Sequence, residues 1–182
     1  MESLPPHTIR VYGNDDELPA EAEALFRDEL ADSRKPLPED RADRDEWRFR
    51  LICAVTESGH VPGGVHLDVG PRSFGPLADD RIAFVEHGFV RPDYRRHGLG
   101  TRILQRAIEV AREEGCQCMR CNCSWKNPAE MALFKKCGFA LACIEDGQYF
   151  TTKPLQGYAC SVLQVPERQK PLGRTSVRPR RE

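Results

Sequence analysis

The sequence predicts one mixed α/β domain followed by a short tail, for three reasons. The chain of 182 residues is long enough to bury a hydrophobic core without disulfides or metal ions. Some segments have the apolar alternation of strands and others the period of helices, and the two kinds alternate through the second half of the chain. One strand pattern also leads directly into a glycine-rich turn that opens a helix.

Composition and charge narrow the class of protein. Hydrophobic residues make up 40% and charged residues 30%, with a formal net charge of -1, so the overall charge favours neither nucleic acid nor a membrane surface as partner. No apolar run approaches the roughly 18 residues that a membrane helix needs. The first residues lack the basic and then apolar pattern of a signal peptide. We therefore expect a soluble, cytoplasmic protein.

The first half of the chain predicts three strands and an acidic helical region. His7–Gly13 has the alternation of a first strand, and the segments 47–60 and 63–70 have the pattern of two strands joined by a turn. Between Asp15 and Glu46 the apolar residues follow a helical period, which the segment 35–40 breaks into two helices. The predicted apolar stripe consists of Ala22, Leu25, Phe26 and Leu30.

The second half of the chain alternates strands with helices. After a predicted loop at Pro71–Asp80, Arg81–Val90 is the best candidate for a central strand, and Gly115 ends the helix that follows. A second helix has Asn127 at its N-cap, and a hairpin closes the domain. The apolar face of the first of these helices comprises Ile103, Leu104, Ala107, Ile108 and Ala111.

The domain is expected to span residues 1–155, followed by a C-terminal extension at 156–182. The start of the extension has the pattern of an extra strand, and its end is rich in proline and basic residues. This composition is typical of a flexible tail. An arm that contacts a partner or an acidic surface is the alternative.

Four of the eight cysteines lie between Cys116 and Cys123, in a segment with the pattern of a buried strand. Cys118 and Cys121 have the spacing of metal ligands. In a strand, however, Cys118 would face one side while Cys121 and Cys123 face the other, so one tetrahedral ion could not easily collect all four. Cysteine also packs well as a small core residue. We therefore expect packing, with a metal site as the alternative.

The turn before the first long helix of the second half covers Arg95–Gly100 and contains three basic side chains and two glycines. Glycine allows a close approach of the backbone to a ligand, and a helix start offers N–H groups and the positive end of the dipole. These features predict a phosphate site. A dinucleotide fingerprint would need glycine in place of Ile103, and the chain has no Gly-Lys pair of a P-loop.

The residues around this turn resemble the signature of the GNAT superfamily of acyl-CoA-dependent N-acetyltransferases. Arg95, Gly98 and Gly100 match its Arg/Gln-x-x-Gly-x-Gly/Ala pattern between the fourth strand and the third helix. The resemblance covers roughly residues 7–155 and is strong in the second half. A second match, about one helix and one strand later, consists of Asn127, Ala129, Phe134, Lys136, Gly138 and Phe139.

The resemblance implies a mixed, mostly antiparallel sheet of about six or seven strands, splayed between strands 4 and 5 and flanked by about four helices. It implies acetyl-CoA as cosubstrate and no metal. Backbone N–H groups of the turn would hold the pyrophosphate, and the pantetheine arm would lie between the splayed strands. The residues expected to bind the cosubstrate are Phe89, Val90, Arg95, Arg96, His97, Gly98, Leu99, Gly100, Thr101, Asn127 and Phe134.

Acetyl transfer to an amine needs a base, a donor for the oxyanion and a group that stabilises the leaving thiolate. The resemblance places the base on the fourth strand, where Glu86 is the candidate; a carboxylate paired to an arginine is the alternative reading of this residue. His87 would face the opposite way unless a bulge intervenes. The oxyanion donor is implied to be a backbone N–H near Phe89 or Val90.

Phe134 departs from the family pattern. Many members have tyrosine at this position, where it protonates the thiolate of coenzyme A, and phenylalanine has no proton to give. The role of general acid is therefore unassigned. Tyr94 and Tyr149 are the nearest candidates in kind.

The resemblance implies an N-acetyltransferase that moves an acetyl group from acetyl-CoA to a primary amine of a small molecule or protein, by direct attack in a ternary complex. A non-catalytic acyl-CoA-binding sensor or scaffold is the alternative. Between Asp15 and Glu46, thirteen acidic residues oppose five basic ones. Because the resemblance places this region over the acceptor side of the cleft, a cationic acceptor is expected. A homodimer is left open.

Overall fold

A computed structural model of the chain describes residues 5–27, 48–71, 81–124, 127–145 and 148–154. The strands span His7–Tyr12 (β1), Arg48–Thr56 (β2), Gly63–Pro71 (β3), Arg81–Val90 (β4), Cys118–Ser124 (β5), Ala140–Glu145 (β6) and Gln148–Pro154 (β7). They form one sheet in the order β1-β2-β3-β4-β5-β7-β6. The mixed α/β fold predicted from the sequence is confirmed.

The helices pack on this sheet, and their bounds are Ala20–Leu25 (α1), Leu99–Glu113 (α2) and Pro128–Lys136 (α3), with a short 3-10 helix at Pro92–Tyr94. The five residues predicted to form the apolar face of α2 are all buried. Asn127 caps α3 as predicted, because its Oδ1 accepts a hydrogen bond from the Glu130 N–H at 3.2 Å. None of the described helices combines the length and the apolar character that a membrane span requires.

The junction between β4 and β5 is the one parallel pairing among the described strands. Its register runs only from Ile82–Cys118 to Val85–Cys121. Beyond these residues β4 continues to Val90 along β3, and β5 continues to Ser124 along β7. The splay expected between strands 4 and 5 is therefore confirmed, and it opens the sheet near its middle.

Both faces of the sheet carry an apolar core, which is why β2 and β3 are nearly continuous runs of buried residues. On one face, α2 packs over a cluster that includes Ile52, Leu67, Val85 and Met119. On the other face, α1 packs over a cluster that includes Ala22, Phe26, Phe49 and Leu51.

The apolar stripe predicted for the first helix is partly wrong. Ala22 and Phe26 are both 0% exposed, but Leu25 is 36% exposed. Adjacent helical residues point about 100° apart, and α1 directs Phe26 toward the sheet, so Leu25 turns toward the surface. Leu30, the second predicted helix, the loop after Pro71 and the C-terminal extension lie outside the described residues.

The end of β4 passes close to Gly63 of β3. A Cβ at Gly63 would lie 2.9 Å from the Phe89 carbonyl oxygen and 3.1 Å from the Ile103 side chain. We expect Gly63→Ala to destabilise the fold by about 1–3 kcal/mol, the usual cost of overpacking, as measured by urea unfolding. Gly88→Ala is the matched control on β4, because its nearest contact would be an ordinary one at 3.4 Å. Equal unfolding free energies for the two variants would contradict this packing.

Candidate functional site

A cavity of about 610 Å³ lies beside the splay, where β4, α2 and α3 meet. Its walls come from β3, the end of β4, the turn at 94–98, the first turns of α2 and one face of α3. A volume of this size is typical of sites for small molecules and cofactors.

The turn between β4 and α2 brings the backbone to one end of this cavity. Arg96 has φ 66 and Gly98 has φ 78, both in the left-handed region, and Gly98 is the N-cap residue of α2. The first hydrogen bond of α2 runs from the Arg102 N–H to the Gly98 carbonyl at 3.1 Å. The N–H groups of residues 99–101 precede that bond, so the helix itself leaves them available to a ligand.

Two arginines add positive charge to the same end of the cavity. Arg95 and Arg96 line the cavity and are exposed. The Arg95 Nε donates a hydrogen bond to the Val90 carbonyl at 2.8 Å, which ties this side chain to the end of β4. Backbone N–H groups, the positive end of the α2 dipole and cationic side chains therefore converge, and this combination suits a phosphate group.

The cavity brings together ten of the eleven residues predicted to bind a cosubstrate. The exception, His97, is exposed and is not part of the cavity wall. Whether the ten bind a ligand stays a prediction. They are Phe89, Val90, Arg95, Arg96, Gly98, Leu99, Gly100, Thr101, Asn127 and Phe134.

Other residues of the cavity wall received no site role from the sequence. Gly64 reaches the cavity from β3 because it pairs with Phe89, and a cross-strand partner cannot be found from one segment of sequence. Glu130, Leu133 and Lys136 line the cavity from α3. Their three-residue spacing, which places them on one helical face, was the available signal.

The ring of Phe134 is part of the cavity wall and is only 5% exposed. It packs edge-on against Phe139, with 4.8 Å between the ring centroids, and it gives the cavity an apolar surface with no proton donor. Of the two tyrosines considered as donors, Tyr94 lines the cavity. The side chain of Tyr149 lies outside the described part of the chain.

A β-bulge lies at Glu86. In the ladder between β3 and β4, His66 pairs with His87 and the next residue, Leu67, pairs with Val85, so Glu86 has no partner in β3. The sequence predicts that His87 faces the opposite way from Glu86 unless a bulge intervenes, and the structure has such a bulge. Glu86 and His87 are both exposed. Glu86 is not part of the cavity wall, but it directly follows the last residue of β4 that pairs with β5.

The surroundings of Glu86 raise the pKa of its carboxyl above the ordinary value. Partial burial is the largest cause, and the negative charge of Asp68 and a hydrogen bond with Asp68 act in the same direction, while His66 opposes them. A carboxyl whose pKa moves toward neutrality is better suited to remove a proton. The alternative role considered for Glu86 is an ion pair with an arginine. Among the described residues no arginine forms such a pair with it.

Six of the cysteines are buried: Cys53, Cys116, Cys118, Cys121, Cys123 and Cys137. The Sγ atoms of Cys121 and Cys123 are 3.7 Å apart on one side of β5, as the alternation of a strand predicts, and the Glu130 carboxylate lies within 4.8 Å of both. Burial raises the pKa of the Cys53 and Cys116 thiols to about 12. Thiols with such pKa values stay protonated at neutral pH, as expected for side chains that pack.

Comparison with known proteins identifies one family. A family model described as the acetyltransferase (GNAT) family matches residues 20–139. Glucosamine 6-phosphate N-acetyltransferase 1 of Oryza sativa subsp. japonica is 36% identical over 70 residues, which are 38% of this chain and 41% of that protein. An L-methionine sulfoximine/L-methionine sulfone acetyltransferase of Pseudomonas aeruginosa is 33% identical over 112 residues, which are 58% of this chain and 63% of that protein.

The likeness also extends to solved structures. The fold is similar to that of Arabidopsis thaliana NAA60 in complex with acetyl-CoA, with a TM-score of 0.55 at 13% identity, covering 82% of this chain and 100% of that one. At this identity the likeness shows the fold alone. The chain spans less than half of the length of the plant relatives that it matches in sequence.

Glu86→Gln should stabilise the folded protein at neutral pH. The pKa of Glu86 is higher in the folded than in the unfolded state, so ionisation of this carboxyl costs more free energy in the folded state. The wild type therefore loses stability as the pH rises through the unfolded-state and folded-state pKa of Glu86. The melting temperature of the variant should exceed that of the wild type at about pH 7. The difference should disappear below about pH 4, where the carboxyl is protonated in both states. A variant that melts lower than the wild type at neutral pH would contradict the raised pKa.

Proposed function

This chain belongs to the acetyltransferase (GNAT) family, and from that premise we propose that it is an N-acetyltransferase. It moves an acetyl group from acetyl-CoA to a primary amine of a small molecule or protein, by direct attack in a ternary complex. The observation that carries the proposal is the cavity. It extends from the start of α2, which suits a phosphate group, to the end of β4, which no longer pairs with β5.

The phosphate end of the cavity fits coenzyme A. A Cβ at Gly100 would lie 3.4 Å from the Val90 side chain and 3.5 Å from the Leu133 side chain, so glycine at this position keeps the space between β4, α2 and α3 open. The N–H groups of residues 99–101, together with Arg95 and Arg96, would hold the phosphates. The apolar wall beyond them would receive the pantetheine arm.

The reacting end of the cavity lies at the splay. When bound, acetyl-CoA supplies an acetyl group activated as a thioester. We assign to Glu86 the removal of a proton from the acceptor amine, because it stands where pairing with β5 stops and its pKa is raised. A backbone N–H near Phe89 or Val90 is assigned to the oxyanion, since this part of β4 no longer pairs with β5. Tyr94 is the candidate that protonates the thiolate, a role closed to Phe134.

The alternative function, a non-catalytic acyl-CoA sensor or scaffold, predicts binding without turnover. The comparisons give it no support, since the matched relatives are named as acetyltransferases. Assay of free thiol release from acetyl-CoA in the presence of amines separates the two functions.

We propose a cationic amine as the acceptor. The relatives act on glucosamine 6-phosphate and L-methionine sulfoximine by name, and both compounds carry an amine. In this chain the segment 15–46 is strongly acidic, and the Asp68 and Glu86 carboxylates add negative charge at the β3–β4 surface. Negative charge raises the local concentration of cations around it.

Coenzyme A should raise the melting temperature of the protein, because a ligand that binds only the folded state stabilises it, by about 2.7 kcal/mol at a concentration of 100 Kd. Gly100→Val should abolish this shift, because its branched side chain enters the cavity. Gln105→Val is the matched control, since it places the same side chain at an exposed position of α2. A wild-type melting curve unchanged by millimolar coenzyme A would contradict the proposed site.

A diamine acceptor should have a higher kcat/KM than a monoamine of equal length. The advantage should shrink between low salt and about half-molar salt, because ions screen the attraction between the acidic residues and the acceptor. Steady-state kinetics at both salt concentrations measure it. If the monoamine has an equal or higher kcat/KM and salt does not change the ratio, the acceptor does not interact with these acidic residues.

A further inference from the structure

We propose that Asp68 and His66 of β3 are positioning residues for Glu86, with Asp68 accepting a hydrogen bond from the protonated Glu86 carboxyl and His66 lying behind the pair. This inference rests on the proposed function, since it assigns Glu86 the role of base. It concerns a group of three side chains on two neighbouring strands, outside the wall of the cavity.

The bulge brings Glu86 to Asp68. In a regular ladder Glu86 would have faced a partner on β3, but here His66 pairs with His87 and Leu67 with Val85. The extra residue bends the strand locally and changes the direction of its side chain. Asp68 pairs with Phe84, two residues before Glu86, and the carboxyl groups of Asp68 and Glu86 are close enough to interact.

His66 lies behind this carboxyl pair. It is the one buried polar or charged side chain among the described residues, with 1% exposure. Its Nε2 is 3.1 Å from Oδ1 of Asp68, yet within the described part of the chain neither ring nitrogen makes an aligned hydrogen bond. Burying an imidazole without such a hydrogen bond costs free energy.

The two β3 residues act on Glu86 in opposite directions. The negative charge of Asp68 and its hydrogen bond raise the pKa of Glu86, and the positive charge of His66 lowers it. The other titratable groups near the pair are Cys121 on β5, which interacts with Glu86, and His87 on β4, which interacts with Glu130 of α3. Asp68 therefore makes Glu86 a stronger base, while His66 keeps it able to ionise.

In the reaction, Glu86 takes one proton from the ammonium group of the acceptor, which leaves the nitrogen lone pair free to attack. The nitrogen then bonds to the acetyl carbon and the carbon–sulfur bond breaks. The nitrogen loses a second proton, the leaving thiolate takes up one, and Glu86 releases its proton to solvent, so the carboxylate is regenerated. Once Glu86 has taken up the proton, its carboxyl donates a hydrogen bond to the Asp68 carboxylate, which orients the protonated group and stabilises it; this is the function of a positioning residue.

The test is the pH dependence of kcat/KM in Asp68→Asn and His66→Gln, measured beside the wild type. Asp68→Asn removes the charge that raises the pKa, so the acidic limb of the profile should move to lower pH by about 1 pH unit. His66→Gln removes the opposing charge, so the limb should move to higher pH. A purely structural role would lower activity in both variants without moving the limb in opposite directions.

Asp93→Asn is the matched control, because it removes a carboxylate from the exposed 3-10 helix beyond the end of β4, and it should leave the limb in place. Glu86→Gln should reduce turnover by roughly 100-fold or more and remove the limb. Near-normal turnover of Glu86→Gln would overturn the inference, and so would limbs that stay fixed in both β3 variants. Asp68 is partly exposed, with 27% of its side chain accessible, so its variant decides the question even where His66→Gln fails to fold.

A second measurement separates this inference from the proposed function. Titration of the Glu86 carboxyl carbon by NMR, in the protein without ligand, requires no turnover. The Glu86 pKa should fall in Asp68→Asn and rise in His66→Gln. If no amine is acetylated but the titration moves as stated, the proposed function fails and the coupling of the three residues stands. If acetyl transfer is normal and the titration does not move, the inference is wrong.

Discussion

The pairing of β4 with β5 ends after Val85 and Cys121, and the site depends on that end. Beyond it, β4 remains bound to β3 and β5 to β7, so the two halves of the sheet stay intact while the space between them opens. A continuous sheet would close this space with backbone hydrogen bonds. The cavity beside this opening reaches from the start of α2 along the end of β4 to Gly64 and Val65 of β3.

One strand serves two purposes at this opening. Residues 88–90 of β4 form part of the cavity wall, while the bulge at Glu86 presents a carboxyl to the group formed by His66 and Asp68. A regular strand would set the directions of all these side chains by alternation alone. The bulge separates the direction of Glu86 from that of the residues after it, which the roles proposed for these neighbouring positions require.

Local signals in the sequence predicted the parts of the site that are local in the chain. The glycine-rich turn, the cap at Asn127 and the apolar face of α2 depend on residues a few positions apart, and the structure has all three. The bulge and the contact of Glu86 with Asp68 depend on the register between two strands, which no single segment contains. The exposure of Leu25 likewise depends on where α1 ends and on which side of it meets the sheet.

The most direct test of this account is an amide NMR titration of the protein with coenzyme A. The account predicts that the largest chemical-shift changes occur at the N–H groups of residues 99–101, at the start of α2, and at residues 88–90 of β4, on the open side of the splay. Changes confined to other parts of the chain, or no changes at millimolar coenzyme A, would contradict the claim that the splay and the helix start form one binding site.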